Sequence, residues 1–340
     1  MIFVTGGTGL VGAHLLYELL TAGEKVKALK RETSDLGHVR KVFSYYTSRA
    51  DELFEQVEWA EGDILDYFGI EDLLKGIDSV YHCAAMVSFN PGQHKKIIAN
   101  NVEGTANLVN ASLENGVKKF CHVSSVAALG RLKNGFLVDE EIRWAPSKRI
   151  SGYSGSKFFS EMEVWRGIEE GLDAVIVNPS IILGPGDWDS GSSRFFHEIW
   201  RGLKFYTRGE TGFVDVKDVV KAMVLLMQAD NFRKCRNQRY LLNSENLSYQ
   251  GLFFQIADAL GRPRPKYLAS DIMLGIAWRA MALWQFVAGN PPTITRETAS
   301  GANAINRFNG SKITKCLDFN YTNISSTIRQ TAMYLKADME

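Results

Sequence analysis

Three hundred and forty residues, 45% of them hydrophobic and 23% charged, can bury a large core as one big domain or two smaller ones, which excludes a disordered chain. With 39 basic against 38 acidic side chains the net charge is +1, so no overall field draws the protein onto phosphate backbones, and nucleic acid is not an expected partner. Cys83, Cys121, Cys235 and Cys316 have neither paired metal spacing nor the density of a disulfide scaffold, and read as packing thiols in a reducing compartment.

The chain opens Met1-Ile2-Phe3-Val4-Thr5-Gly6, a strand running straight into a glycine turn, with no room for a cleaved leader, so a cytoplasmic location is expected. Short β-branched or apolar runs at 2–5, 25–29, 56–59, 79–83, 119–123 and 174–177 then alternate with helical stretches at 10–21, 70–75, 94–115 and 153–170. That alternation predicts βαβ units, hence an α/β fold with a doubly wound parallel sheet of Rossmann type. Residues 33–55 make a longer, more polar connection than such a unit requires, expected to be a surface helix inserted before the third strand. After Pro179 the alternation fades into shorter elements, with helices expected near 193–201 and 215–227. The expected division is a dinucleotide-binding domain over 1–178, with 214–243 returning to it, and a smaller, mostly helical substrate-binding region from 179–213 and 244–340. Residues 272–289 are apolar over about eighteen residues, near the lower limit for a membrane span. Arg279 in the middle and Gly275 weaken that reading, which leaves a core or substrate-lid helix, or one lying weakly on a membrane surface.

Thr5-Gly6-Gly7-Thr8-Gly9-Leu10-Val11-Gly12 ends the first strand and opens a helix. Glycines at Gly6, Gly9 and Gly12 permit a tight turn and close approach of main-chain N–H groups to a pyrophosphate, which the helix N-terminus attracts, so Thr8, Leu10 and Val11 are candidate cofactor contacts as well. At the end of the second strand Lys30 and Arg31 stand where a cation would meet the extra phosphate of NADP, which favours NADP(H). Glu32, about twenty residues past the last glycine, keeps NAD(H) open, because a carboxylate there would take the ribose hydroxyls. Asp63 and Ile64 after the third strand could hold the adenine, with a loop aspartate capping a helix as the competing reading.

The fifth strand runs into Ser124-Ser125 at the carboxyl edge of the sheet, and Tyr153 and Lys157 fall one helical turn apart downstream. A cation beside a phenol favours phenolate and would bring the hydroxyl into working range near neutral pH, while Ser125 would polarise a substrate oxygen.

These segments resemble the extended short-chain dehydrogenase/reductase family, well over residues 1–230 and loosely beyond. Thr5–Gly12 is similar to the family's TGxxGxxG turn, Tyr153–Lys157 to its YxxxK pair and Ser125 to its catalytic serine. The resemblance also implies that Asn101, in Asn101-Val102-Glu103-Gly104-Thr105, helps organise the site. It further implies that Ala84 and Ala85 line the cofactor, with Ser124, Pro179 and Ser180 beside it. Sugar-nucleotide epimerases and dehydratases of the family usually carry RPxxVYGP and SSxxVYG, whereas the corresponding stretches here are Asn178-Pro179-Ser180-Ile181-Ile182-Leu183-Gly184-Pro185 and Ser124-Ser125-Val126-Ala127-Ala128-Leu129-Gly130. Both have lost polar groups, which looks more like the dihydroflavonol-reductase and β-hydroxysteroid-dehydrogenase-like branch.

The expected activity is therefore NADP(H)-dependent reduction of a carbonyl, or oxidation of an alcohol, on a small apolar substrate. A sugar-nucleotide epimerase or dehydratase with tightly held NAD is the alternative, and a non-catalytic dinucleotide-binding redox sensor the third reading. Ser88, Phe89, Asn178 and Trp188 are candidate substrate contacts because they follow strand ends near the nicotinamide. Trp278, Met281, Trp284 and Phe286 could supply apolar walls. No metal is expected, and the chain could act as a monomer or a homodimer.

Overall fold

The computed structural model describes residues 1–87, 91–130, 136–142, 152–288, 299 and 301–340, without the side chains of 91, 280 and 282–288. Seven strands form one all-parallel sheet in the spatial order β11-β7-β5-β4-β1-β2-β3: β1 (Ile2–Thr5), β2 (Val26–Lys30), β3 (Glu58–Glu61), β4 (Ser79–His82), β5 (Lys119–Val123), β7 (Ala174–Pro179) and β11 (Gln238–Leu242). The order reverses between β1 and β4, so their carboxyl ends open a crevice. Such a sheet is covered on both faces, so its inner strands are buried on both sides. Successive residues of β1 show why: Phe3 belongs to the core on one face and Val4 to the core on the other, both fully buried.

One face is covered by α1 (Leu10–Thr21), by the helices of residues 33–55 and by α9 (Val216–Met227). The other is covered by α4 (Tyr67–Leu73), α6 (Gly104–Glu114) and α7 (Gly152–Glu169). Strand β3 starts two residues later than its apolar run suggests. The backbone N–H groups of Gln56 and Val57 close turns onto Leu53 and Phe54 instead, and β3, at the sheet's edge, has little to bury.

Residues 33–55 are not a surface helix. They form α2 (Gly37–Ser44) and α3 (Ala50–Phe54), and Val39, Val42 and Phe43 are fully buried against α1. The polar look of the segment comes from its outer face, where Arg40 bridges Asp51 and Glu55.

Downstream of β7 a smaller lobe forms around β8 (Ile181–Leu183), β10 (Glu210–Asp215) and β12 (Glu245–Ser248), a three-stranded sheet in the order β12-β10-β8. Its core joins Phe196, Phe213, Leu252 and Ile256 to Ile324, Ile328 and Leu335 of the C-terminal helix Ile324–Met339. Strand β11 and helix α9 rejoin the large sheet. Two short parallel ribbons complete the lobe, β14 (Arg307–Phe308) with β6 (Leu137–Val138), and β13 (Tyr267–Leu268) with β9 (Phe205–Tyr206). Helix α12 (Asp271–Ala288) follows β13, and no helix among the described residues is long and apolar enough to cross a membrane.

Candidate active site

The turn after β1 works through close approach. Gly6 sits at φ +70°, and a Cβ there would meet the backbone N of Ala84 at 2.5 Å; a Cβ on Gly12 would fall 2.0 Å from the Gly6 carbonyl oxygen. The N–H of Gly9 donates back to that carbonyl at 3.0 Å, and no side chain caps the start of α1. Thr8, Leu10 and Val11 therefore lie at a helix N-terminus that no side chain caps, with Ala84 and Ala85 just past the end of β4.

A cleft of about 330 Å³ opens at the end of β2, lined by Arg31, Glu32, Thr33, Glu61, Gly62 and Asp63. Arg31 is exposed, and among the described residues its guanidinium has no carboxylate partner. Lys30, expected to share the cofactor phosphate, is instead paired with Glu61 on the neighbouring strand at 3.0 Å. Asp63 caps neither helix end: its carboxylate accepts from the Leu65 N–H, while Asp66 caps α4. Ile64, expected against the adenine, points inward, and a Cβ on Gly104 of α6 would strike its side chain at 2.4 Å.

The catalytic candidates converge at the ends of β5 and β7. Ser125 caps a short turn through the Ala127 N–H at 3.1 Å, and its hydroxyl is hydrogen-bonded to the phenol of Tyr153 on the first turn of α7. Lys157, one turn on and 5% exposed, donates from Nζ to the carbonyl oxygen of Val123 at 3.0 Å. Burial brings its pKa down to about 8, opposed by Cys83 and Glu161. At neutral pH the ammonium therefore keeps its charge. The phenol departs from expectation, for burial pushes it above its usual range and the Ser125 bond only opposes that. Spacing along the helix sets Lys157 near Tyr153, but the lysine's bond goes to the strand.

Asn101 lies in a π-helical turn, Ala99–Glu103, between α5 (His94–Ile98) and α6. It is 3% exposed, accepts from the Met86 N–H at 2.7 Å, and donates to the Met86 carbonyl at 3.0 Å and to Ser156 Oγ at 3.1 Å. The amide ties the end of β4 to the head of α7. Behind it a buried chain runs from Thr5 Oγ1 to His82 Nδ1 at 2.7 Å, from His82 Nε2 to Thr105 Oγ1 at 2.9 Å, and from that hydroxyl to the Asn101 carbonyl.

Sequence reasoning missed Glu161. One turn beyond Lys157 and 3% exposed, its carboxylate accepts from Ser124 Oγ at 2.6 Å, Asn178 Nδ2 at 2.7 Å, Trp165 Nε1 and Arg239. The signal was there: Tyr153, Lys157 and Glu161 stand at successive four-residue steps on one helix face. Asn178, expected at the substrate, is fully buried and bonds the Ser125 carbonyl at 3.1 Å. Its Oδ1, and Oγ of Ser180 just past Pro179, are buried without a partner, which is costly unless a bound ligand supplies one.

Trp188, expected at the substrate as well, donates to Asp338 of the C-terminal helix at 2.8 Å and lies against Tyr45. Trp278 packs beside Leu274 and Ala299 in a small separate cluster. Ser88 and Phe89 lie outside the described residues, as do the side chains of Trp284 and Phe286.

The glycine cradle, the uncapped helix and the serine–tyrosine–lysine group stand at the carboxyl edge of one parallel sheet, and the family model for the NAD dependent epimerase/dehydratase family matches residues 2–238. The chain belongs to that family. It is an NAD(P)-dependent oxidoreductase of the extended short-chain dehydrogenase/reductase type. It is 33% identical over 277 residues to a Methylococcus capsulatus protein described as sterol demethylase protein B, covering 81% of this chain and 79% of that one. It is 32% identical over 268 residues to a putative dihydroflavonol 4-reductase of Synechocystis, covering 78% and 74%. Among solved structures, the UDP-glucose 4-epimerase of Thermotoga maritima superposes with a TM-score of 0.76 over 100% of this chain and 99% of that one, at 21% identity, a likeness of fold.

Proposed function

We propose that this family member reduces a ketone, or oxidises the corresponding alcohol, on an apolar ring-type substrate, using NADP(H). The observation that carries the reading is the Ser125–Tyr153 hydrogen bond at the sheet edge, with Lys157 buried one helical turn on and bonded to the end of β5. The residues fit a dinucleotide: a Cβ would fill the cradle at Gly6 and Gly12, and two orphaned polar atoms wait at Asn178 and Ser180. Thr8, Gly9, Leu10 and Val11 would hold the pyrophosphate and Arg31 the extra phosphate, with Ala84, Ala85, Ser124, Pro179 and Ser180 beside the rings. When bound, the cofactor supplies or accepts the hydride.

The chain's own groups handle the proton. Ser125 donates to the substrate oxygen and holds it beside the phenol, and Tyr153 gives its proton to that oxygen as negative charge develops there. Lys157 contributes a fixed positive charge in a site of low dielectric, which lowers the cost of the phenolate left behind. Asn101 acts through position, pinning Met86 and Ser156 on either side. Glu161 and Asn178 fix Ser124 and Ser125, and so set the angle of the serine hydroxyl.

Two observations favour an apolar substrate. After Ser125 the chain offers only Val126, Ala127, Ala128 and Leu129, and the relatives above are named for a flavonoid and a sterol reaction. A panel of apolar ketones with NADPH, followed by the loss of reduced-nicotinamide absorbance, tests the reading. Tyr153→Phe is expected to lower the rate by about 10²–10⁴-fold with cofactor binding retained. An unchanged rate, or turnover confined to nucleotide sugars with retained NAD, sinks it.

A further inference from the structure

The small lobe carries a surface that the described residues leave uncovered and that takes no part in the chemistry above. In the β9–β13 ribbon Phe205 stands opposite Tyr267, their rings 5.7 Å apart, and the two residues are 44% and 57% exposed. Helix α12 starts three residues later, and Ile272, Met273 and Ile276 are exposed on one side of its first turns. The opposite side is already satisfied, since Leu274 and Trp278 pack against Ala269 and Ala299. Single exposed apolar residues need no explanation, but five within two adjoining elements do.

Charge indicates what covers them. Lys204 and Lys266 immediately precede the two aromatic residues, are joined by a main-chain bond of 3.0 Å, and are exposed with no carboxylate partner among the described residues. Arg279 falls on the same helix face as Ile272 and Ile276, its guanidinium 4.5 Å from the centre of the Trp278 ring. Residues 201–210 and 258–279 together hold seven lysines and arginines against three carboxylates. Two of those three are taken, Asp258 by Arg264 and Glu210 by Arg307. The near-neutral chain thus concentrates uncompensated positive charge around exposed rings and aliphatic groups.

Protein interfaces deplete lysine at their apolar centre. At the surface of an anionic bilayer the same mixture is favourable, with rings at headgroup depth and long cationic stems reaching phosphates. We propose that the β9–β13 ribbon and the first turns of α12 dock this protein peripherally on anionic membranes. The proposal is independent of the assigned reaction.

The test is flotation of the full chain with vesicles of phosphatidylcholine alone and of phosphatidylcholine mixed with phosphatidylserine, at low and raised salt. The protein is expected to float with the serine-lipid vesicles and to be released by salt. The double variant Ile272→Asp/Ile276→Asp is expected to lose flotation with an unchanged melting temperature and unchanged NADPH binding. Lys204→Glu/Lys266→Glu is expected to weaken partitioning by at least about tenfold. Failure of the wild type to float at low salt, or equal flotation of both variants, overturns the proposal. So does a dimer in sedimentation that Ile272→Asp abolishes, which would assign the face to a second copy.

Discussion

The ammonium of Lys157 donates to the carbonyl oxygen of Val123 at 3.0 Å, so this buried cation is held by the last residue of β5 rather than by a carboxylate. Burial without a close counter-charge explains why its pKa falls from 10.5 to about 8. The unfolded chain then binds more protons than the folded one between those values, and stability rises with pH across that window. Lys157→Met removes the cost, so at pH 7 the variant should unfold no earlier than the wild type. Its lead should shrink as the pH rises from about 8 toward 10.5, while its rate drops by about a hundredfold or more. Thermal melts across that pH range, paired with rates at pH 7, check both halves. A lead that grows with pH would contradict the buried charge.

Glu161 presents the opposite case, a buried carboxylate with donors from four side chains. In Glu161→Gln an N–H would face donors on Ser124 or Asn178, leaving Arg239 without its charge partner. Breaking such a group typically costs about 3–5 kcal/mol, less here because Arg239 is partly exposed, so a loss of about 2–3 kcal/mol in denaturant unfolding is expected. Because Asn178 also holds the Ser125 carbonyl, kcat should fall more than KM rises, and the NADPH dissociation constant should hold. Equal changes in all three would reduce Glu161 to a fold-holding group.

Much of this was legible in the chain and some was not, for physical reasons. The glycine turn and the alternation of strands with helices show because each strand's apolar run and each turn's glycines answer to local constraints. Residues 33–55 misled because charge along a helix reports only its outward side, and Val39, Val42 and Phe43 are too few to stand out among polar neighbours. The roles of Asn178 and Trp188 were invisible because their partners, Glu161 and Asp338, lie 17 and 150 residues away. Lys30 and Arg31 are adjacent in sequence, yet only the strand register shows that Lys30 faces Glu61 while Arg31 has left the sheet.

That separation makes the cofactor preference testable at one side chain. If Arg31 meets the extra phosphate, Arg31→Ala gives up a charge-assisted bond of about 1.5–3 kcal/mol, which is roughly ten- to hundredfold in NADPH affinity, with little change for NADH. Lys30→Ala should alter both cofactors only slightly, since its charge is spent on Glu61. Fluorescence titration of the reduced nucleotides against both variants decides the matter. Equal losses for NADPH and NADH in Arg31→Ala would move the preference to Glu32 and NAD(H).

Asp338 fixes the C-terminal helix to the rest of the molecule, accepting from the Tyr45 hydroxyl at 2.5 Å, Trp188 Nε1 at 2.8 Å and Lys41 Nζ at 2.5 Å. Burial works to raise its pKa, but the three donors prevail and hold the carboxyl below its usual range. A carboxylate depressed in the folded state contributes stability above its unfolded value, and that contribution is lost as the pH falls through the folded one. Asp338→Asn keeps the shape and discards the charge, so at pH 7 it should cost about 1–2 kcal/mol. The gap from wild type should close as the pH drops below the usual carboxylate value of 3.8. Because the helix side of this tether also packs Ile328 and Leu335 into the small lobe's core, the variant should expose its last turns to carboxypeptidase before global unfolding. Urea midpoints at pH 7 and near pH 3, with proteolysis alongside, are the measurements. A gap that persists unchanged in acid would show that the hydrogen bonds, and not the charge, hold the helix in place.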